Sequence, residues 1–220
     1  MTGINFDVTA QREAREQQKL LIDELNHRVK NTLAMVQSFA SLTLKSSSPT
    51  EFREVLMGRI LALAAAHDLL TRSRWSGASL EELVSAELSS FNRPEPGRIV
   101  WAGHGVALTP KQALGLGMVI HELVTNAAKH GALSVATSRV SLGWRSRDDV
   151  EPARLEIEWV EEGGPPVRKP SRSGFGSRLI SQTVATDLMG TIDMSFDVSG
   201  LSCVISIPCA ETWSSGEGPQ

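Results

Sequence analysis

The strongest constraint on the fold is an unbroken helical pattern near the N-terminus of this 220-residue chain. No proline or glycine lies between Ala10 and Leu44, and apolar or small residues recur every three or four positions. This spacing predicts a helix with a seam at heptad positions a and d. The seam consists of Ile22, Leu25, Val29, Thr32, Val36, Phe39 and Thr43. The segment SSSPT at 46–50 ends this pattern, and a second helix is predicted from about Glu51 to Arg72.

Two long helices joined by a short loop predict an antiparallel hairpin. Because both helices carry more apolar surface than one hairpin can bury, we expect a homodimer that pairs them in a four-helix bundle. His27 lies at heptad position f, opposite the seam, so its imidazole is expected to face water. An exposed imidazole has a pKa of about 6.5 and is mostly neutral and nucleophilic at pH 7. A solvated helix surface is the alternative interpretation of His27.

The rest of the chain mixes helices with strands, which predicts a helical layer on a sheet and an α+β fold class. SGAS at 76–79 is interpreted as a linker. Thr109, Pro110 and Gln112 have the pattern of an N-cap, a first-turn proline and a capping box, and they predict a helix ending near His130. Further helices are predicted at 79–90 and 176–189, and strands at 98–102, 139–144, 155–160, 191–197 and 201–207.

The segment HELVTNAAKHGAL at 121–133 places three polar side chains on one face of that helix. Glu122, Asn126 and Lys129 are spaced four and three apart, while the opposite side is apolar. A carboxylate, an amide and an ammonium group on one edge fit a magnesium–phosphate site, because Mg²⁺ prefers oxygen ligands and bridges to phosphate. An ordinary amphipathic helix explains the same pattern equally well.

Two glycine-containing segments follow. Gly163 and Gly164 come directly after a predicted strand, where glycine allows a backbone to approach a flat ligand. Gly174 and Gly176 precede a predicted helix, whose free N–H groups favour phosphate. A single GFG is a common sequence, and it lacks the third glycine of a dinucleotide fingerprint and the GK[ST] of a P-loop.

Composition excludes several other classes. The net charge of −3 gives no electrostatic case for binding nucleic acid. No apolar run is long enough to span a bilayer, and two cysteines favour a reducing, cytoplasmic location over a disulfide scaffold.

The order of these motifs is similar to that of the HWE family of bacterial sensor histidine kinases. The family is named for a histidine and a Trp-x-Glu, which here correspond to His121, Trp159 and Glu161. The resemblance extends from about Leu20 to Pro208. It implies a hairpin that carries the phosphoacceptor, His27 in HRVKN, followed by an α/β sandwich of the GHKL or Bergerat ATPase type.

The resemblance also implies the site and its ligands, ATP and Mg²⁺. Asn126 would bind Mg²⁺, Glu122 would lie beside the reacting phosphate, and Glu161 would read the adenine. The other expected nucleotide-binding residues are Lys129, His130, Gly163, Gly174 and Gly176. The expected product is phosphorylated His27, and the expected partner is a response regulator receiver domain. Arg28 follows His27 where better-known histidine kinases carry an acidic residue.

The implied domains are a remnant of a preceding PAS-like sensor at 1–16, the hairpin at 17–75, the ATP-binding domain at 76–210 and a disordered tail at 211–220. Three alternatives remain at this stage. One is a serine kinase or ATPase on the same fold, and another is a phosphotransfer scaffold whose ATP site has decayed. The third is a purely structural dimer module.

Overall fold

The computed structural model describes residues 49–73, 75–92, 97–166 and 175–209. The predicted first helix of the hairpin, with His27, and the segments 1–16 and 211–220 therefore lie outside the described residues. The second helix, α1, spans Pro49–Arg72. From Met57 onward, the described residues belong to one compact unit. The division into a hairpin at 17–75 and an ATP-binding domain at 76–210 stays a prediction.

After α1 come β1 (Ala78–Ser79), α2 (Leu80–Asn92), β2 (Ile99–Gly103), β3 (Ala107–Leu108), α3 (Pro110–Lys129) and a 3-10 turn (Ala132–Ser134). Then follow β4 (Arg139–Arg147), β5 (Arg154–Glu162), α4 (Phe175–Gln182), a π-helical turn (Thr183–Asp187), β6 (Thr191–Asp197) and β7 (Gly200–Pro208).

Five strands form one mixed sheet in the order β2-β4-β5-β7-β6. Strand β2 pairs with β4 in parallel, and the other neighbours are antiparallel. Helices α2 and α3 pack their apolar faces on one side of this sheet, as the sequence predicts. The shared core includes Leu83, Val84, Leu116, Val119, Ile120, Leu123, Leu142, Ile157, Trp159 and Ile205. The result is a two-layer α/β sandwich.

One local prediction is wrong. The segment predicted as a linker contains β1, which pairs antiparallel with β3, and Ala78 is 9% exposed. The helix predicted over 176–189 is present as an α-helix to Gln182 and a π-helical turn to Asp187, and only its change of pitch was not predicted. In that turn the Leu188 N–H donates to the Thr183 carbonyl over 3.0 Å. Backbone pairing with a distant strand and a change of helical pitch both depend on tertiary packing, which a local pattern does not contain.

Among the described residues, no helix is both long and apolar enough to cross a bilayer.

Candidate active site

Helix α3 carries the polar face predicted from the sequence. Both hydrogen bonds of a capping box are formed at its N-terminus. The Thr109 hydroxyl accepts from the Gln112 N–H, and the Gln112 carboxamide oxygen accepts from the Thr109 N–H. The same carboxamide donates to the Pro208 carbonyl of β7 over 2.8 Å. These bonds confirm the predicted cap and fix where α3 starts on the sheet, and therefore where its polar face lies.

The polar face of α3 meets the first turn of α4. A Cβ atom placed on Gly176 would lie 2.9 Å from Glu122 Oε2 and 3.2 Å from Asn126 Nδ2. A side chain at position 176 would force Glu122 and Asn126 to shift. The structure thus brings Glu122, Asn126 and Gly176 together at a helix N-terminus, where free N–H groups and the helix dipole favour an anion.

The other predicted residues of this face lie further out. Lys129 and His130 are exposed at the end of α3. His27 and Gly174 lie outside the described residues. The described residues contain no group of three or more His, Cys, Asp or Glu that could hold a metal by themselves. Asn126 therefore fits Mg²⁺ only where phosphate and water supply most of the other ligands, which is the usual arrangement for this ion.

An ion pair that sequence analysis missed holds Glu122. The Arg59 Nε of α1 donates to Glu122 Oε1 over 2.6 Å. Arg59 is 1% exposed and Glu122 is 5% exposed, so both charges are buried. A signal was present in the sequence, since Arg59 lies on the same α1 stripe as Leu63 and Leu70, with spacings of four and seven.

His121, the family's marker histidine, lies next to this pair. Its Nδ1 is 3.2 Å from Glu87 Oε2 of α2. On its other side, a Cβ placed on Gly58 would lie 3.0 Å from His121 Nε2. Two consecutive residues of α1, Gly58 and Arg59, thus contact two consecutive residues of α3, His121 and Glu122. Helix α1 therefore approaches α3 at this point.

Glu161 lies in a second buried region, at the end of β5. The strand alternates, and its inward row is Leu155, Ile157, Trp159 and Glu161. Trp159 Nε1 donates to Glu161 Oε1 over 3.1 Å, and the Ala132 N–H donates to Glu161 Oε2 over 2.8 Å. The tryptophan and glutamate of Trp-x-Glu are therefore hydrogen-bonded to each other. The glutamate also accepts a hydrogen bond from the turn after α3. The period-two spacing of the motif could have predicted the first of these bonds.

Glycines allow the turn after α3 to approach the end of β5. A Cβ on Gly131 would overlap Glu161 Oε2, and one on Gly164 would lie 2.8 Å from the Ala132 Cα. Gly163 has a φ of +73°, a conformation that favours glycine. Arg98 supports the same turn by donating to the carbonyls of Leu133, over 3.2 Å, and Val135.

Comparison with known proteins finds relatives of this chain. Residues 24–105 match the family model described as HWE histidine kinase. Curated relatives named blue-light-activated histidine kinase, from Brucella ovis and Brucella abortus, are 34% identical over 207 residues. The match covers 94% of this chain and 42% of each relative. The chain thus spans about two fifths of the length of these relatives.

Solved structures share the fold. The blue-light-activated histidine kinase EL346 of Erythrobacter litoralis aligns with a TM-score of 0.61 and 20% identity, over 95% of this chain and 62% of that one. The histidine kinase domain of the same protein aligns with a TM-score of 0.53 and 17% identity, over 82% of this chain and 94% of that one. The family model and the curated relatives identify the chain as a member of the HWE histidine kinase family.

Proposed function

We propose that this chain is an ATP-dependent protein histidine kinase that phosphorylates itself on His27. The observation that supports the proposal is the approach of Gly176 to Glu122 and Asn126 at the start of α4, because the N-terminus of a helix favours phosphate. Asn126 would hold Mg²⁺, which when bound supplies positive charge to the phosphates. Lys129 and His130, exposed at the end of α3, add cationic or polar groups, and Gly163, Gly174 and Gly176 shape the pocket.

Glu161 would read the adenine. Both of its oxygens already accept one hydrogen bond, but a carboxylate oxygen has two lone pairs, so each keeps the capacity to accept a second one. The two existing bonds would hold the carboxylate in a single orientation. Replacing Glu161 with Ala should then weaken ATP more than it weakens inorganic triphosphate, because only ATP carries the base. Equal losses for both ligands would place the adenine elsewhere.

In the proposed reaction a nitrogen of His27 attacks the γ-phosphorus, the bond to the ADP oxygen breaks, and the imidazole loses a proton. Positioning and charge neutralisation account for most of the catalysis in phosphoryl transfer. The phosphoryl group would then pass to an aspartate of a response regulator receiver domain. We place this exchange in the cytoplasm, since the chain has only two cysteines. We place it in a homodimer because α1 exposes Met57 (51%) and Leu61 (63%) on one side.

The test is incubation with γ-labelled ATP and Mg²⁺, followed by acid and base treatment of the labelled protein. Label on histidine survives base and is lost in acid, which separates this proposal from a serine kinase. His27→Gln should abolish the label, whereas the matched control His67→Gln should keep it. Labelling of His27→Gln at the wild-type rate would contradict the acceptor.

A second variant tests the metal site. Asn126→Asp is nearly isosteric and lies on a partly exposed face, so stability should change by only about 0.5 kcal/mol. The added charge beside the phosphates should abolish labelling. A folded Asn126→Asp protein that still turns over ATP with Mg²⁺ would place the metal on other residues.

Mixing the two variants tests the dimer. Label recovered on the Asn126→Asp chain, after subunit exchange with His27→Gln, means transfer between chains. No recovery together with a dimer mass means transfer within a chain. A monomer mass at high concentration would contradict the homodimer.

A further inference from the structure

The ion pair between α1 and α3 is unusual because of where its arginine lies. Arg59 occupies the apolar stripe of α1, followed by Leu63, Ala66 and Leu70, which are all at most 5% exposed. A buried guanidinium needs a compensating partner, because burial of an unpaired charge is strongly unfavourable. Glu122 supplies one, over 2.6 Å. A residue that only had to pack against α3 would be apolar at this position.

The carboxylate of Glu122 faces two ways. Oε1 accepts from Arg59, while Oε2 lies towards Gly176 and Asn126. The second oxygen therefore faces the proposed phosphate site, and the first anchors the side chain to α1. Rotation that moved Oε2 away from Gly176 would break the bond to Arg59.

The charges of Glu122 and Arg59 would affect how a nucleotide phosphate binds. A lone carboxylate next to a terminal phosphate would repel it, and the repulsion would be strong because the site is partly shielded from water. The guanidinium of Arg59 is buried against the same carboxylate, so it offsets that charge without itself entering the phosphate site. The pair thus presents an oriented oxygen, Oε2, on a carboxylate whose charge the guanidinium offsets.

We propose that Arg59 is a positioning residue for the kinase reaction. It orients Glu122 and offsets its charge, so that the site accepts the γ-phosphate of ATP. Helix α1 thereby contributes to nucleotide selection, although no α1 residue is needed to touch the nucleotide. This inference rests on the proposed function, in which Glu122 lies beside the reacting phosphate.

The test compares the affinity for Mg·AMP-PNP, which has a γ-phosphate, with that for Mg·ADP, which does not. Four proteins are titrated by calorimetry: wild type, Arg59→Met, Glu122→Gln and the double variant. Arg59→Met should weaken the binding of Mg·AMP-PNP relative to that of Mg·ADP about tenfold, because the Glu122 carboxylate then lacks its compensating charge. Glu122→Gln should shift the ratio of the two dissociation constants in the opposite direction, and the double variant should lie between the two.

A purely structural role for Arg59 would not produce this pattern. It would weaken both nucleotides equally or neither, and either result overturns the inference. Arg72→Met, an exposed arginine on the same helix, is the matched control and should leave the ratio unchanged. If Arg59→Met fails to fold, the comparison of Glu122→Gln with the double variant still tests the inference. Glu122→Gln must then prefer AMP-PNP over ADP more strongly than the double variant does.

The same titration separates the two proposals. Wild-type protein that binds neither nucleotide contradicts the proposed function itself, and the role of Arg59 with it. Wild-type protein that binds both, with ratios insensitive to Arg59 and Glu122, leaves the kinase proposal standing and overturns only the inference.

Discussion

The site contains two buried carboxylates that the protein stabilises in different ways. Glu122 is paired with a cation, Arg59, while Glu161 accepts only from neutral donors, the Trp159 indole and the Ala132 N–H. A buried ion pair leaves a full charge exposed to low dielectric when one partner is lost, whereas a lost neutral donor removes one hydrogen bond. The two regions should therefore differ in how strongly they respond to the loss of a single partner.

The largest effect is expected from Arg59→Met. Removing one partner of a buried ion pair costs about 3–5 kcal/mol, because the other charge stays buried without compensation. Urea unfolding of the variant should show this loss. Adding Glu122→Gln should recover part of it by removing the stranded charge. A loss below about 1 kcal/mol for Arg59→Met would mean that water or another group compensates Glu122, and the contrast between the two carboxylates would disappear.

A smaller effect is expected from Glu161→Gln. The amide NH₂ of glutamine would face either the Trp159 indole or the Ala132 N–H, which are both donors. One of the two hydrogen bonds to residue 161 would therefore be lost, and two N–H groups would face each other. The expected loss is about 1–3 kcal/mol in the free energy of unfolding. Glu158→Gln is the matched control, since Glu158 lies on the exposed side of the same strand, and it should stay within about 0.5 kcal/mol. Equal effects for both variants would show that the buried bonds contribute little.

Trp159→Phe tests the Trp-x-Glu bond itself. The substitution removes the indole donor and some buried volume, so the comparison that isolates the bond is a double-mutant cycle with Glu161→Gln. We expect a coupling of about 1 kcal/mol, with Trp159→Phe less costly once residue 161 is already glutamine. A coupling near zero would mean that the two marker residues share a face without supporting each other.

Sequence patterns predicted the parts of this site that depend on local spacing. The cap at Thr109, the polar face of Glu122 and Asn126 and the strand that leads to Glu161 all follow from period and residue type. The distant partners of the two carboxylates did not, because Arg59 is 63 positions from Glu122 and Ala132 is 29 from Glu161. Contacts over such separations are set by how helices and strands pack. The arginine within the apolar stripe of α1 was nevertheless a local anomaly that indicated a buried partner.

The smallest effect concerns the relation between the two regions. Gly131, against which Glu161 packs, follows Glu122 by nine positions, roughly 13 Å at the rise of an α-helix. The described contacts of the two carboxylates share no residue. Sites this far apart without common partners usually contribute additively to stability, within about 0.3–0.5 kcal/mol.

The double variant Glu122→Gln with Glu161→Gln should therefore lose the sum of the two single losses in urea unfolding. Thermal unfolding of the same four proteins provides an independent check of that sum. A coupling above about 1 kcal/mol would mean that α3 transmits a change from one carboxylate to the other. The ion-paired Glu122 and the neutrally hydrogen-bonded Glu161 would then belong to one connected network, because the loss of a partner at Glu122 would change the stability contributed by Glu161.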